Sequence, residues 1–247
     1  MIQDAATATA VHTLFEWGGM ALGVALWRHA LRAQGRSPLQ AGSFAVLVGL
    51  LLGAALGNKA VFLAERPDVL QRLLAGEALW PGQSIVGGLL GGLVGVELAK
   101  RATGQTRSTG DAMVLPIALG LCLGRVGCLL AGLHDSTYGL PTTLPWGLDF
   151  GDGQARHPAQ LYEMVFVAAL GWALWHARVR LGGVPGLAFK LFLASYLAWR
   201  LAIDALKPVP VAYPLGWSGI QWVCALALLA YAPFVFRAWR QLPAPTP

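Results

Sequence analysis

The chain has 247 residues, of which 56% are apolar and only 12% are charged. Soluble domains carry about 25% charged residues, so a water-facing shell on a 26.1 kDa globule would leave large apolar patches. With a mean hydropathy of +0.57 and ten tryptophans, this composition excludes a cytosolic enzyme, a disulfide-stapled secreted domain and a disordered tail. It indicates a polytopic membrane protein. The formal charge of +6 does not indicate a nucleic-acid partner, because the basic residues lie between apolar stretches.

Seven apolar stretches of about 20 residues predict seven transmembrane helices and an all-α membrane protein. In chain order they are residues 11–31, 41–64, 82–99, 111–132, 158–177, 183–206 and 215–236. Ten basic residues follow the odd-numbered stretches: Arg28, Arg32, Arg36, Lys100, Arg101, Arg107, Arg178, Arg180, Arg237 and Arg240. The positive-inside rule therefore predicts an N-terminus outside, a cytoplasmic C-terminus and a single polytopic domain over residues 1–247.

Two loops on the predicted outer side are long enough to form structure. Residues 65–83 place Leu70, Leu73, Leu74 and Trp80 on one side of a helical wheel. This pattern predicts an arm lying in the membrane interface, or alternatively a loop helix packed on the bundle. Residues 133–157 are rich in Gly, Pro, Thr and Asp, and they predict turns and a short hairpin that form a small outer head.

Small residues and cysteines inside the spans predict packing. Two rows of glycines at intervals of four residues should let helices approach closely: Gly49, Gly53 and Gly57, and Gly87, Gly91 and Gly95. The cysteines Cys122, Cys128 and Cys224 lie in apolar stretches without the spacing of a metal site or a disulfide framework. We therefore expect no structural disulfide, no metal and no cofactor.

With this topology, most ionisable residues of the spans lie at one depth, in the outer third of the bilayer. They are Glu16, Lys59, Arg125, His157, Glu163, Arg200 and Asp204, with Tyr162 and Gln221 beside them. Ionisable groups in lipid are costly and mark functional sites, so we expect one polar chamber open to an outer-leaflet headgroup. Arg125 and Arg200 suit an anionic phosphate, because a guanidinium donates two hydrogen bonds and keeps its charge.

Two other interpretations of these charges remain open. Arg200 with Asp204, and Arg125 with Glu163, would form ion pairs that only hold helices together. Alternatively, the charges belong to a transporter or a proton relay, which would require further polar residues at the midplane and the inner face. The sequence has few such residues.

Two motifs stand out, Gly-Arg-Val-Gly at residues 124–127 and Arg-His-Pro-Ala-Gln-Leu-Tyr-Glu at residues 156–163. With them, the sequence resembles the bacterial prolipoprotein diacylglyceryl transferase family. Weaker matches occur in the same order: Gln83 to Gly88, Pro145-Trp146-Gly147, Tyr196 to Lys207, and Ser218 to Gln221.

The resemblance implies transfer of the diacylglyceryl group of phosphatidylglycerol, or a related anionic phospholipid, to the lipobox cysteine of a lipoprotein precursor in the bacterial inner membrane. It implies that Arg125 and Arg200 clamp the departing phosphate, and that His157 or Glu163 supplies a base, with Glu16 and His134 as further options. The expected substrate-binding residues are Tyr162, Ser84, Gly87, Gly88, Lys59, Asp204, Gln221 and Glu16.

Several positions depart from the family pattern. Val86 stands where the family has His, Cys128 where it has Asn, Leu133 where it has Glu, and Lys207 where it has Arg. An alternative function is therefore a paralogue that acts on another acceptor, or that only binds or moves anionic phospholipid. His157 has a structural alternative as well, as the cap of a helix with Pro158 at its first position.

Overall fold

The computed structural model describes residues 2, 4–33, 35, 41–78 and 82–243, with backbone only for 41–43. Arg36 and Trp80 lie outside these residues. Within them the α-helices are α1 (Ala5–Ala33), α2 (Ala41–Glu65), α3 (Pro67–Leu74), α4 (Ile85–Thr103), α5 (Val114–Ala131), α6 (Ala159–His176), α7 (Arg178–Leu181), α8 (Leu187–Ile203) and α9 (Gly219–Trp239). Short 3₁₀ turns occupy Asp111–Met113, Gly132–Asp135, Asp204–Leu206 and Pro214–Gly216, and two strands are β1 (Leu148–Asp149) and β2 (Ala155–Arg156).

The helical class predicted from the sequence is confirmed. In the described part of the chain, three helical segments are long and apolar enough to cross a membrane: Phe44–Glu65, Asp111–Asp135 and Gly219–Trp239. Their apolar side chains largely point outward, as in α2, where Leu51 and Leu56 are 60% and 73% exposed. An apolar exterior of this kind requires lipid around it, so the protein is a membrane protein.

Glycines bring the long helices into pairs, as predicted. Helix α2 packs along α4, and α1 packs along α5. A Cβ atom added to Gly53 would collide with the carbonyl oxygen of Gly91, and one added to Gly19 would lie 2.8 Å from the carbonyl oxygen of Gly120. Only glycine allows these backbones to approach so closely.

Helix α8 forms the centre of the bundle. Its residues Phe192, Leu193, Tyr196 and Leu197 are fully buried, and the helix packs against α9 and α6. Because one face of α8 is buried in this way, the polar groups on that face near its C-terminal end, including Arg200, are held inside protein.

A hairpin and a short helix occupy the two long loops. Strands β1 and β2 form an antiparallel hairpin in which Leu148 pairs with Arg156. The segment after α2 contains α3, whose Leu70 and Leu74 are exposed and in which no described residue is buried. The interfacial arm at residues 65–83 and the outer head at residues 133–157 stay predictions.

Candidate functional site

A buried carboxylate joins three helices at one end of the bundle. Glu163 lies in the second turn of α6 and is fully buried. Its Oε1 accepts hydrogen bonds from Arg125 Nη2 (2.9 Å) and from the Tyr196 hydroxyl (2.7 Å). Its Oε2 accepts one from Arg200 Nη1 (3.2 Å). A buried charge is tolerated only when it is paired in this way.

Asp204 extends the network to α9. Arg200 Nη2 donates to Asp204 Oδ1 (2.7 Å), and the Ser218 hydroxyl donates to Asp204 Oδ2 (3.2 Å). Ser218 also begins α9 in a reciprocal capping box with Gln221. The Lys207 ammonium lies 3.9 Å from Asp204 Oδ1. We call Arg125, Glu163, Tyr196, Arg200 and Asp204 the arginine cluster.

Both guanidinium groups retain a donor to which no described residue offers an acceptor. Among the described residues, Nε of Arg125 and Nε of Arg200 are buried and have no hydrogen-bond partner. A buried unsatisfied donor costs about 1–3 kcal/mol, so a partner for these N–H groups stabilises the fold. An anionic oxygen is the strongest such partner.

His157 and Tyr162 form a second polar group, next to the hairpin loop. The Tyr162 hydroxyl lies 3.3 Å from His157 Nδ1 and accepts a hydrogen bond from Trp146 Nε1 (2.8 Å). Pro158 is the N-cap of α6 rather than its first residue, and no side chain caps this helix. The interpretation of His157 as a helix cap is therefore wrong.

A third group lies where α2 meets the start of α4. The Ser84 hydroxyl accepts a hydrogen bond from the Gly87 amide (3.3 Å), and the Ser84 amide donates to Asn58 Oδ1 (3.1 Å). The Lys59 ammonium donates to the carbonyl oxygen of Gly82 (3.1 Å). These contacts hold the helix ends, and a role of Ser84, Gly87 and Lys59 in substrate binding stays a prediction.

Two further residues of the predicted site make other contacts. Glu16 Oε2 lies 3.8 Å from His12 Nε2 on α1. Gly88 lines a different space, a cavity of about 630 Å³ that extends toward Lys100 and Lys190. No member of the arginine cluster lines this cavity within the described part of the chain, and a role of Gly88 in substrate binding stays a prediction.

Sequence reasoning did not assign a role to Tyr196. A usable signal was present, because Tyr196, Arg200 and Asp204 follow each other at intervals of four residues. This spacing puts all three on one face of a helix. The neighbour of Lys59, Asn58, was also missed, and an amide one residue from a lysine carries no comparable signal.

The fold and the cluster define a helical membrane protein with two buried arginines held by carboxylates. Residues 7–237 match the family model described as prolipoprotein diacylglyceryl transferase. The chain belongs to the prolipoprotein diacylglyceryl transferase family, as the motifs at 124–127 and 156–163 predicted, and so to the membrane transferases of lipoprotein biosynthesis.

Curated relatives support this assignment. A phosphatidylglycerol–prolipoprotein diacylglyceryl transferase of Nitratidesulfovibrio vulgaris is 34% identical over 205 residues, which cover 79% of this chain and 71% of the relative. Proteins of the same name from Methylocella silvestris and Nitrosomonas europaea are 34% and 31% identical. The match to the Methylocella silvestris protein covers 74% of this chain and 68% of that relative. The match to the Nitrosomonas europaea protein covers 90% of this chain and 83% of that relative.

Proposed function

We propose that this protein moves the diacylglyceryl group of phosphatidylglycerol to the lipobox cysteine thiol of a lipoprotein precursor and releases glycerol phosphate. Family membership and the names of the relatives support the reaction class. The observation that carries the proposal is the pair of buried guanidinium groups whose Nε–H groups have no partner among the described residues. These donors suit the phosphate of an anionic phospholipid.

In the proposed reaction, the acceptor sulfur attacks the glyceryl carbon that carries the phosphate ester. A carbon–sulfur bond forms, the carbon–oxygen bond breaks, and the phosphate leaves with the electron pair. Arg125 and Arg200 stabilise the charge that develops on this leaving group. The same positive field favours the thiolate form of the acceptor, since free cysteine has a pKa of about 8.5.

Glu163 acts in this proposal as a positioning residue. Its carboxylate already accepts three hydrogen bonds, two of them from Arg125 and Arg200, so it holds the two guanidinium groups at a fixed separation. Val86 is buried in the apolar core and offers no base. We therefore assign the base to His157, which is half-buried beside the Tyr162 hydroxyl.

We further propose that the seven long helices all cross the bacterial inner membrane, with the N-terminus outside and the C-terminus in the cytoplasm. Residues 1–247 would form one polytopic domain, with residues 65–83 as an outer arm and residues 133–157 as an outer head. Arg125 precedes the C-terminal residue of α5, Ala131, by six positions. At 1.5 Å per residue, it would then lie about 9 Å below the outer end of α5.

A second candidate function is the binding or movement of anionic phospholipid without transfer. The cavity of about 630 Å³ favours it, because its mostly apolar lining also includes Lys100, Arg101 and Lys190, although Glu97 and Asp111 lie in the same lining and Glu97 pairs with Lys100. Apolar walls suit acyl chains, and ammonium groups suit a phosphate.

One experiment separates these functions. The purified protein in lipid nanodiscs is incubated with headgroup-labelled phosphatidylglycerol, with and without a lipobox peptide. Peptide-dependent release of labelled glycerol phosphate with a thioether on the peptide supports the transferase. Release without peptide indicates another acceptor, and lipid binding without release indicates the second candidate. Absence of both binding and release contradicts both functions.

A further inference from the structure

Three side chains that are distant in sequence meet beside the arginine cluster. His12 comes from α1, Cys128 from α5 and Asp135 from the 3₁₀ turn that follows α5. One imidazole nitrogen, the thiol sulfur and one carboxylate oxygen all lie within 4.8 Å of one another. We call these three residues the thiol cluster. No proposed catalytic step uses it.

A glycine next to Cys128 lets α1 reach this position. A Cβ atom on Gly127 would lie 2.7 Å from the Cβ of Phe15 and 3.2 Å from the carbonyl oxygen of His12. Helix α1 therefore rests directly on the turn of α5 that carries Cys128. The cluster is held by backbone packing rather than by mobile side chains alone.

His12 and Asp135 form an ion pair whose hydrogen-bond geometry is poor. Nδ1 and Oδ1 are 2.9 Å apart, yet the N–H direction of the buried Nδ1 meets no acceptor in the described part of the chain. Two atoms that each bind a metal ion at about 2.0–2.1 Å are separated by about 2.9 Å at a right angle and by about 3.3 Å at the tetrahedral angle. The observed separation equals the right-angle value, so the two side chains need to move apart by about 0.4 Å to hold one ion in a tetrahedral site.

The donor set determines which ion is suitable. Thiolate, imidazole and carboxylate together are ligands of Zn²⁺, whereas Mg²⁺ and Ca²⁺ require oxygen ligands. A thiolate and a carboxylate also balance the charge of a dication. The guanidinium of Arg125 lies 3.6 Å from Cys128 Sγ, but its charge is paired with Glu163 at 2.9 Å.

We propose that His12, Cys128 and Asp135 bind Zn²⁺. The His12 side chain is 30% exposed, so solvent supplies the fourth ligand of a tetrahedral site. The ion links α1 to α5 and draws the sulfur away from Arg125. This site revises the expectation of no metal, which rested on cysteine spacing in the sequence, because its ligands come from three different elements.

Metal titration of the purified protein tests the site. Protein stripped with a chelator is titrated with Zn²⁺, and with Co²⁺ as a spectroscopic probe, in lipid nanodiscs. We expect one bound equivalent and a thiolate-to-cobalt charge-transfer band. Cys128→Ser should abolish the band and weaken Zn²⁺ binding more than about 100-fold, since loss of outer-shell partners alone costs about 10–100-fold.

Cys122→Ser is the matched control, because this second thiol of α5 contacts the Met164 carbonyl oxygen instead. It should retain the band and the affinity. A measurement without variants is alkylation of Cys128, which Zn²⁺ but not Mg²⁺ should slow. A wild-type protein with no charge-transfer band, a Cys128→Ser variant with wild-type affinity, or alkylation that Zn²⁺ does not slow would each overturn the proposal.

Discussion

Replacement of Arg125 by lysine tests whether the arginine cluster takes part in catalysis or only holds helices together. Lysine keeps a positive charge near Glu163 but removes the forked donor group and the free Nε–H. If Arg125 clamps the departing phosphate, its loss removes about 2.7–4 kcal/mol of transition-state stabilisation, which is about a 10²–10³-fold fall in turnover.

Lysine is a better test than alanine because of what remains in the core. Arg125→Ala would leave Glu163 buried with Arg200 and Tyr196 as its remaining hydrogen-bond donors. Breaking a buried ion pair costs about 3–5 kcal/mol, so loss of turnover in that variant could follow from unfolding. Arg125→Lys retains the charge and should remain folded.

The assay compares initial rates of glycerol phosphate release in nanodiscs, with the thermal unfolding midpoint of each variant measured in parallel. Arg66→Lys is the matched control, because Arg66 also makes a forked pair with a carboxylate, Asp68. That pair is 40% exposed on the arginine side, and exposed pairs contribute about 0.2–1 kcal/mol. Wild-type turnover in Arg125→Lys, or an equal loss in Arg66→Lys, would refute the phosphate clamp.

Three further predictions concern topology, packing and the central carboxylate. A cysteine introduced at Ser136 should react with an impermeant thiol reagent added to intact cells and one at Thr106 should not; the opposite pattern would invert the proposed orientation. Gly91→Val should lower the free energy of unfolding by about 1–3 kcal/mol or more, because the new side chain would collide with the backbone of α2. Gly88→Ala is the control: its Cβ atom would lie 4.0 Å from the nearest atoms of α2, so the thermal unfolding midpoint should stay nearly unchanged. Tyr196→Phe removes one hydrogen-bond donor from the buried Glu163 carboxylate and should lower the free energy of unfolding by about 1.5–3 kcal/mol. Turnover should fall less than in Arg125→Lys. An unchanged thermal unfolding midpoint would show that the hydroxyl does not bind Glu163 in the folded protein.

Part of the candidate site could be predicted because some of the information about it is local in sequence. Charges inside apolar stretches are visible without a fold, and they singled out Arg125, Glu163 and Arg200. The interpretation that paired Arg125 with Glu163 and Arg200 with Asp204 matches the contacts in the structure. It did not foresee that Glu163 binds both arginines, because residues 37 and 38 positions apart meet only through helix packing.

Position along a span was a poor guide to which side chains share a space. Glu16 and Glu163 were placed at one depth, yet Glu16 contacts His12 on α1 and Glu163 lies in the arginine cluster. Depth is one coordinate, and the rotation of each helix about its axis is another. That rotation is set by packing against neighbours, through contacts such as that of Gly53 with Gly91.

The sequence by itself determined the helical membrane class, the approximate limits of the long helices and the family. Each of these follows from apolar stretch length, composition or contiguous motifs, which are properties of the chain before it folds. Only the tertiary structure decided which charges are paired and that His12, Cys128 and Asp135 meet. The physical reason is that lipid drives every apolar segment toward a helix, whereas the choice of neighbours depends on close contact between surfaces that are far apart in the chain.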